Sequence, residues 1–374
     1  MKGKRVLFII TEDWALISHR LHLVDAAIAA GYEVGLATRI NNHYHILKRH
    51  GVKIYEWNLR RRSLNPIREI ITLVRLYQIL WLFKPDIIHA VAQKPVIYAG
   101  LVKRFYRKIA FIGTLGGVGY IFTNNSLKAS LLKPVVTTFL KLALMQKKTR
   151  LILQNKDNID IVKNIGIVDQ RNVRLIRGAG VETDKFLPSK VPDGIPIVIL
   201  PGRLLWDKGV GEFIRVAKRI KERDIKARFV LVGSIDLDNP ESVPQGKIDK
   251  WVKLGIIEQW GRCDDMETVY QQTSIVCLPS YNEGLPKVLL EAASCSRPAV
   301  AFDVPGCREV IQNNVNGFLV EFGNEYELER VLIKLIKNKK LCNIMGKKGR
   351  KIAETKFSSL IINRQTFNTW NEII

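Results

Sequence analysis

Acidic side chains are scarce in the first half of the chain. Residues 1–187 hold 12 Asp and Glu against 31 Lys and Arg, a net of +19, whereas the remainder carries 23 acidic and 28 basic residues, a net of +5. So one-sided a balance favours an anionic partner, nucleic acid or anionic lipid. Cysteine is also sparse: Cys263, Cys277, Cys295, Cys307 and Cys342 include no C-x-x-C pair. They read as buried or incidental thiols in a reducing compartment. No His/Cys/Asp/Glu cluster has metal-ligand spacing, and Asp236-Leu237-Asp238 reads as a loop after Ser234, so neither metal nor cofactor is expected. Long apolar runs are missing as well. Val6–Ile10 is too short for a signal peptide, and nothing approaches the roughly 18 to 20 residues that span a bilayer, which points to the cytoplasm. A G-x-G-x-x-G turn, a G-x-S-x-G elbow and a Walker loop are absent, which argues against dinucleotide, acyl-transfer and P-loop chemistry.

What the chain does have is repeated alternation of short apolar strands with helices. At 374 residues it exceeds the roughly 250 to 300 at which a single core stops growing. The second half runs through strands at Ile197–Leu200, Phe229–Val232, Ile256–Trp260, Ile275–Leu278, Ala299–Phe302 and Gly317–Val320, each followed by a helical segment, which predicts a doubly wound parallel sheet. Thr273–Ser296 joins such a strand to a loop and a helix: Gly284 frees the loop, Pro286 suits a first helical turn, and Glu283 and Glu291 flank the junction. Arg203 stands just past the strand ending at Leu200, after Gly202, and Lys208 follows at a helix start. In a parallel sheet these groups share the carboxyl edge, where helix N-termini favour anions, and two cations there suit a diphosphate. The alternative is a dipole-favoured carboxylate, a solvated helix-face glutamate and two surface cations.

The block NEGLPKVLLEA, with its E-x7-E spacing, resembles the signature of retaining family 4 glycosyltransferases of the GT-B fold, and Arg203-x4-Lys208 resembles the family's diphosphate pair. The resemblance implies two Rossmann-like doubly wound domains facing across a cleft: an acceptor domain at 1–187, a nucleotide-sugar domain at 188–356, and a terminal helix at 357–374 crossing back to the first. It implies that Glu283, Gly284, Leu285, Pro286 and Val288 hold the donor sugar and that Glu291 takes the ribose hydroxyls. Gly202 and Arg262 are placed beside the nucleotide, and Arg203, Lys208 and Glu283 in catalysis. Arg177–Phe186 resembles the family's interdomain linker, with Ala179 where Asn is usual, while Cys307 and Arg308 depart from its "PGG-x-x-E-x-V" block.

Acceptor-side candidates lie in the first half. Thr11–Arg20 reads as a loop entering a helix and carries Trp14 and His19 in a Trp-x3-Ser-His-Arg pattern that resembles bacterial surface-glycan enzymes, where UDP-activated hexoses and N-acetylhexosamines are common donors. His89 reads as a strand-end histidine; position 91 is Val where related enzymes have a second His, so Gln93 and Lys94 stand in for it. Gly116 and Gly117 lie in a glycine-rich loop, Gly113–Tyr120. Leu127–Leu144 is a candidate interfacial helix. Together with Arg60–Arg62, Lys103-Arg104, Arg107-Lys108 and Lys147-Lys148 it predicts peripheral association with the cytoplasmic face of an anionic membrane and a polyprenyl-diphosphate-linked acceptor. Competing readings are an epimerase or silent nucleotide-sugar binder of the same fold, and a nucleic-acid binder; the last lacks any recognisable nucleic-acid module.

Overall fold

A computed structural model describes residues 3–41, 43–60, 63, 65–117, 127–237 and 239–374, the side chains of 127–129 excepted. Arg61, Arg62, Gly119 and Asp238, singled out in the sequence, lie outside the described residues. The chain forms two compact units, one of residues up to Ala179 together with Ile362–Ile374, the other Gly180–Ile361. The second unit thus starts earlier than the sequence-based boundary: Val181 pairs with Ser358 and, with Phe186, joins the second core.

The first unit is a seven-stranded sheet of β1 (Arg5–Glu12), β2 (Glu33–Arg39), β3 (Lys53–Glu56), β4 (Ile87–Val91), β5 (Ala110–Leu115), β6 (Thr149–Leu153) and β7 (Val173–Leu175), in the order β3-β2-β1-β4-β5-β6-β7. All its pairs are parallel. Its helices are α1 (Asp13–Ala29), α2 (Tyr44–Arg49), α3 (Pro66–Phe83), α4 (Gln93–Lys103), α5 (Leu127–Leu144) and α6 (Lys156–Ile165). Because helices cover both faces, β1 is apolar throughout its middle. Leu7 and Ile9 enter one core with Ile88 and Phe111, while Val6, Phe8 and Ile10 enter the other with Leu16 of α1 and Trp370. α3 starts where the Asn65 side chain accepts from the amides of Ile67 and Arg68, with Pro66 in the first turn. It stops at Lys84, whose φ of 50° is left-handed.

Two expectations change here. Thr11–Arg20 is not a loop: β1 runs to Glu12 and α1 begins at Asp13. The carboxylate of Asp13 is fully buried and accepts the amides of Trp14 (2.7 Å) and Asn41 (2.8 Å). Burial raises its pKa, but those bonds and His43 outweigh burial and hold it below the usual value. β5 continues through Gly113, Thr114 and Leu115, which the sequence assigned to the glycine-rich loop.

The second unit is a six-stranded parallel sheet of β8 (Ile197–Pro201), β9 (Arg228–Val232), β10 (Glu258–Gly261), β11 (Ile275–Leu278), β12 (Ala299–Phe302) and β13 (Gly317–Val320), in the order β10-β9-β8-β11-β12-β13. Its helices are α7 (Val210–Glu222), α8 (Gln245–Lys253), α9 (Met266–Gln272), α10 (Lys287–Ser294), α11 (Pro305–Val310), α12 (Glu325–Ile336) and α13 (Lys339–Ile352). The chain then passes through α14 (Ser359–Asn371), whose Ile362 and Trp370 belong to the first core. This is the expected pair of doubly wound parallel-sheet domains. The strand order reverses between β1 and β4 in one sheet and between β8 and β11 in the other, the switch points where open α/β sheets bind ligands.

Candidate active site

At the switch point of the second sheet, the loops leaving β8 and β11 are joined by backbone contacts only glycine allows. Gly209 has φ +77° and lies so close to β11's exit that a Cβ would fall 2.0 Å from the Pro279 carbonyl oxygen. The Tyr281 amide donates to the Asp207 carbonyl at 2.9 Å, and Ser280 Oγ donates to the same oxygen at 3.2 Å. Gly202 (φ +132°) and Gly233 bring β8 and β9 together in the same way, since a Cβ on Gly233 would sit 1.8 Å from the Gly202 oxygen. On the far side the Gly306 amide donates to the Glu283 carbonyl at 3.1 Å, and a Cβ there would meet Glu283 and Gly284 oxygens at 2.5 and 2.7 Å.

This frame sets Lys208 Nζ 2.7 Å from Glu283 Oε1, both side chains largely buried at 19 and 13 % exposure. A largely buried pair of this kind presents a cation and a carboxylate together at the sheet's carboxyl edge. Arg203 leaves the same strand, is half exposed, and donates from Nη1 to Asp236 Oδ2 at 2.9 Å. Pro286 is the residue before α10, and Leu285 and Val288 pack partly buried against the core. Glu291 differs from the solvated-face alternative: it is 5 % exposed, with Lys287 Nζ 3.0 Å from Oε1 and the Tyr270 hydroxyl donating to Oε2 at 3.1 Å. Burial, reinforced by the Glu291 charge, pushes the Tyr270 pKa well above its usual value, so the hydroxyl stays a donor. Arg262 is exposed and bonds Asp264 at 3.1 Å.

Two residues that sequence reasoning passed over complete this edge. The Tyr281 hydroxyl donates to Glu212 Oε1 at 2.8 Å, tying the Glu283 loop to the first turn of α7, and Arg215 pairs with the same oxygen at 2.6 Å. Tyr281 lies inside the strand-to-helix block already singled out, but a buried acceptor at Glu212 had no local signal.

The first unit distributes its candidates differently. Trp14 and His19 lie on α1, ring edge to face at 6.3 Å, with His19 Nδ1 2.5 Å from Ser18 Oγ. His89 is not at a strand end. It is in the middle of β4, fully buried, stacked on Phe8 at 5.3 Å, with Nε2 2.9 Å from Thr114 Oγ1. Lys94 Nζ donates to the carbonyls of Arg60 (3.0 Å) and Ser63 (2.6 Å) and to Glu69 Oε1 (3.1 Å), so its three protons hold the chain before α3. Gly116 and Gly117 follow β5, and the space a Cβ on Gly117 would enter is open. Among the described residues no group of three His, Cys, Asp or Glu side chains could hold a metal ion, and no helix is long and apolar enough to cross a membrane.

Comparison with known proteins falls on both units. Residues 5–155 match the family described as Glycosyl transferase 4-like, and residues 182–352 match Glycosyl transferases group 1. The chain is 27% identical to the N,N'-diacetylbacillosaminyl-diphospho-undecaprenol alpha-1,3-N-acetylgalactosaminyltransferase of Campylobacter jejuni, over 90% of each chain. It is also 27% identical to the UDP-Gal:alpha-D-GlcNAc-diphosphoundecaprenol alpha-1,3-galactosyltransferase of Escherichia coli, over 77% of this chain and 76% of that one. Its fold superimposes on Anabaena HepE, solved in complex with UDP, with a TM-score of 0.77 at 17% identity, covering 98% of this chain and 100% of that one.

Proposed function

The chain belongs to the GT-B glycosyltransferases of the family 4 type, and from that premise we propose that it moves a hexose or N-acetylhexosamine from a UDP-sugar, with retention and without a metal ion, to a hydroxyl of a saccharide linked to a polyprenyl diphosphate. The observation that carries this reading is the Lys208–Glu283 pair, 2.7 Å apart at the β8/β11 switch point, with Glu291 buried in the helix that follows β11. Lys208 and Arg203 would neutralise the departing diphosphate, the term that dominates when a glycosyl bond to phosphate breaks. Glu283 and the Gly284–Val288 stretch would hold the sugar and Glu291 the ribose. In the family's course, the sugar's bond to the diphosphate breaks while the acceptor oxygen attacks the same face, and the leaving phosphate takes the acceptor proton. The two named bacterial relatives act on undecaprenol-diphosphate-linked sugars, one from UDP-Gal, which supports both the acceptor class and the nucleotide.

Association with the cytoplasmic face of the plasma membrane is part of the same proposal. α3 buries Leu76, Ile79, Leu80 and Phe83, yet on its other faces Ile67, Ile70, Ile71, Val74, Tyr77 and Trp81 are each at least 44 % exposed. That second apolar stripe, flanked by Arg68 and Arg75, suits an anionic headgroup boundary better than water. A thermal-shift panel of UDP, GDP, ADP and CMP tests the nucleotide, because ligand that binds only the folded state must raise its stability. UDP is expected to stabilise most, and preferential stabilisation by GDP refutes the assignment. Product analysis follows: sugar on the acceptor supports transfer, whereas epimerised donor without acceptor identifies the epimerase alternative.

A further inference from the structure

α1 packs on its sheet through Leu16, Leu23, Val24 and Ala27, which share a core with Phe8 and Ile10. Arg20 stands in that same stripe and is 5 % exposed. The position calls for an apolar side chain, since a buried guanidinium loses its hydration and recovers it only through a counter-charge or acceptors. Among the described residues Arg20 has neither: no hydrogen bond or ion pair reaches it, and burial alone draws its pKa down to about 10. At 5 % exposure the residue is not wholly sealed from solvent.

The same core holds further unpartnered polar atoms. His89 lies opposite Phe8 in the β1–β4 register, and its ring is 5.8 Å from that of Trp370, edge to face. His89 Nδ1 and Trp370 Nε1 are both buried without a partner. Burial first, then the charge of Arg20, holds the His89 pKa well below its usual value, so the ring is neutral. Nε2 lies 2.9 Å from the Thr114 hydroxyl, which can donate or accept, and Nδ1 has no partner in either tautomer; the indole nitrogen can only donate. A buried cation without a counter-charge, with a buried indole donor and an imidazole Nδ1 that can carry its proton in the same core, suits an oxyanion.

We propose that Arg20, backed by His89 and Trp370, forms a phosphate-binding site in the first unit that takes a phosphate of the acceptor's diphosphate. The identity of that ligand rests on the acceptor class proposed above; the oxyanion chemistry does not. The test uses the full chain with saturating UDP, so that the donor site is filled, and titrates inorganic pyrophosphate and farnesyl diphosphate against wild type, Arg20→Met and Arg20→Lys. Arg20→Met should keep or raise Tm without ligand, because it restores an apolar residue to an apolar stripe. It should bind both probes about tenfold more weakly or worse, as loss of a charge-assisted hydrogen bond implies. Arg20→Lys should recover part of that affinity, and the UDP-induced shift should be the same in all three proteins. A lower Tm in Arg20→Met with probe binding unchanged would make Arg20 a structural cation and overturn the site, as would a wild type that binds neither probe. Loss of pyrophosphate binding alone, with farnesyl diphosphate bound as before, overturns the acceptor assignment. A missing UDP shift in wild type counts against the donor reading and leaves the Arg20 comparison to be read from the two probes.

Discussion

The two sheets present their polar residues in opposite ways. At the carboxyl edge of the second, Lys208 faces Glu283 and Arg203 faces Asp236, each cation joined to a carboxylate that the next loop brings across. In the first, His89 and Arg20 lie in the interior, Lys94 is consumed by carbonyls and Glu69, and the helix surface of α3 carries large apolar side chains instead. Groups that act on a small, highly charged ligand can be placed by one strand and one turn. A surface that meets a lipid-linked acceptor has to be assembled by packing, and residues that look polar in sequence can be spent inside.

The largest test of that contrast exchanges the same substitution between the units. Lys208→Ala removes the cation from the site and should lower kcat about 10²- to 10³-fold, the scale of losing one group that stabilises a leaving charge, beyond whatever stability is lost by leaving Glu283 unpaired. Lys94→Ala removes a tether from three acceptors and should act through stability, costing about 1–3 kcal/mol with the unpaired carbonyls and Glu69 left behind. Turnover and denaturant unfolding of both variants give the answer. If Lys94→Ala lost turnover at unchanged stability, the first unit would hold chemistry at that position and the contrast would break.

Backbone contacts come next in size. Gly209→Ala forces a left-handed residue to carry a Cβ toward the Pro279 oxygen, which cannot yield without moving β11's exit. A cost of at least about 2 kcal/mol is expected from the strained conformation and the overlap together, along with loss of UDP binding. Gly117→Ala, after β5, meets open space and should leave unfolding within roughly 0.5 kcal/mol of wild type.

How far the sequence was legible follows the same divide. Strands β11, β12 and β13 begin and end where their apolar runs do, because buried parallel strands have no amphipathic pattern to blur. Arg203, Lys208 and Glu283 could be placed on one edge from the strand pattern, since each falls between a strand end and the helix that follows it. Asp13 could not: nothing local says that its carboxylate will accept the amides of Asn41 and His43 and so start a helix where the sequence suggested a loop. His89 was displaced from an edge to the interior because its strand continues past it to Val91, and the burial comes from Trp370, nearly the whole chain away. The second apolar stripe of α3 was present in the sequence, but only the observed packing of Leu76, Ile79 and Phe83 shows which stripe faces out.

A smaller effect is expected from that outer stripe. Ile70→Gln with Val74→Gln on α3 should change stability by no more than about 0.5 kcal/mol, as for exposed positions generally. Co-sedimentation with anionic vesicles at low salt should fall several-fold, and Val252→Gln, an exposed apolar position in the second unit, should not affect it. Equal binding by all three proteins would remove α3 from the membrane proposal.

The smallest expected change in activity concerns Tyr281, whose hydroxyl ties the Glu283 loop to α7. Its hydroxyl, with a pKa pushed up to about 12 by burial and by Glu212, remains protonated and donates to Glu212 Oε1. Tyr281→Phe keeps the ring, which stays edge-on to Phe322 at 5.1 Å, and keeps the amide bond to the Asp207 carbonyl. Only the hydroxyl's tether is lost, so stability should fall by about 1 kcal/mol, the usual net worth of one such bond. Because Glu283 stays within the same loop, the expected kinetic result is a few-fold rise in donor KM with kcat nearly unchanged, the signature of looser donor positioning. The competing outcome is a fall in kcat at constant KM. That would place the phenol among groups felt only in the transition state, and the second unit would then owe its chemistry to more than the paired charges at its edge.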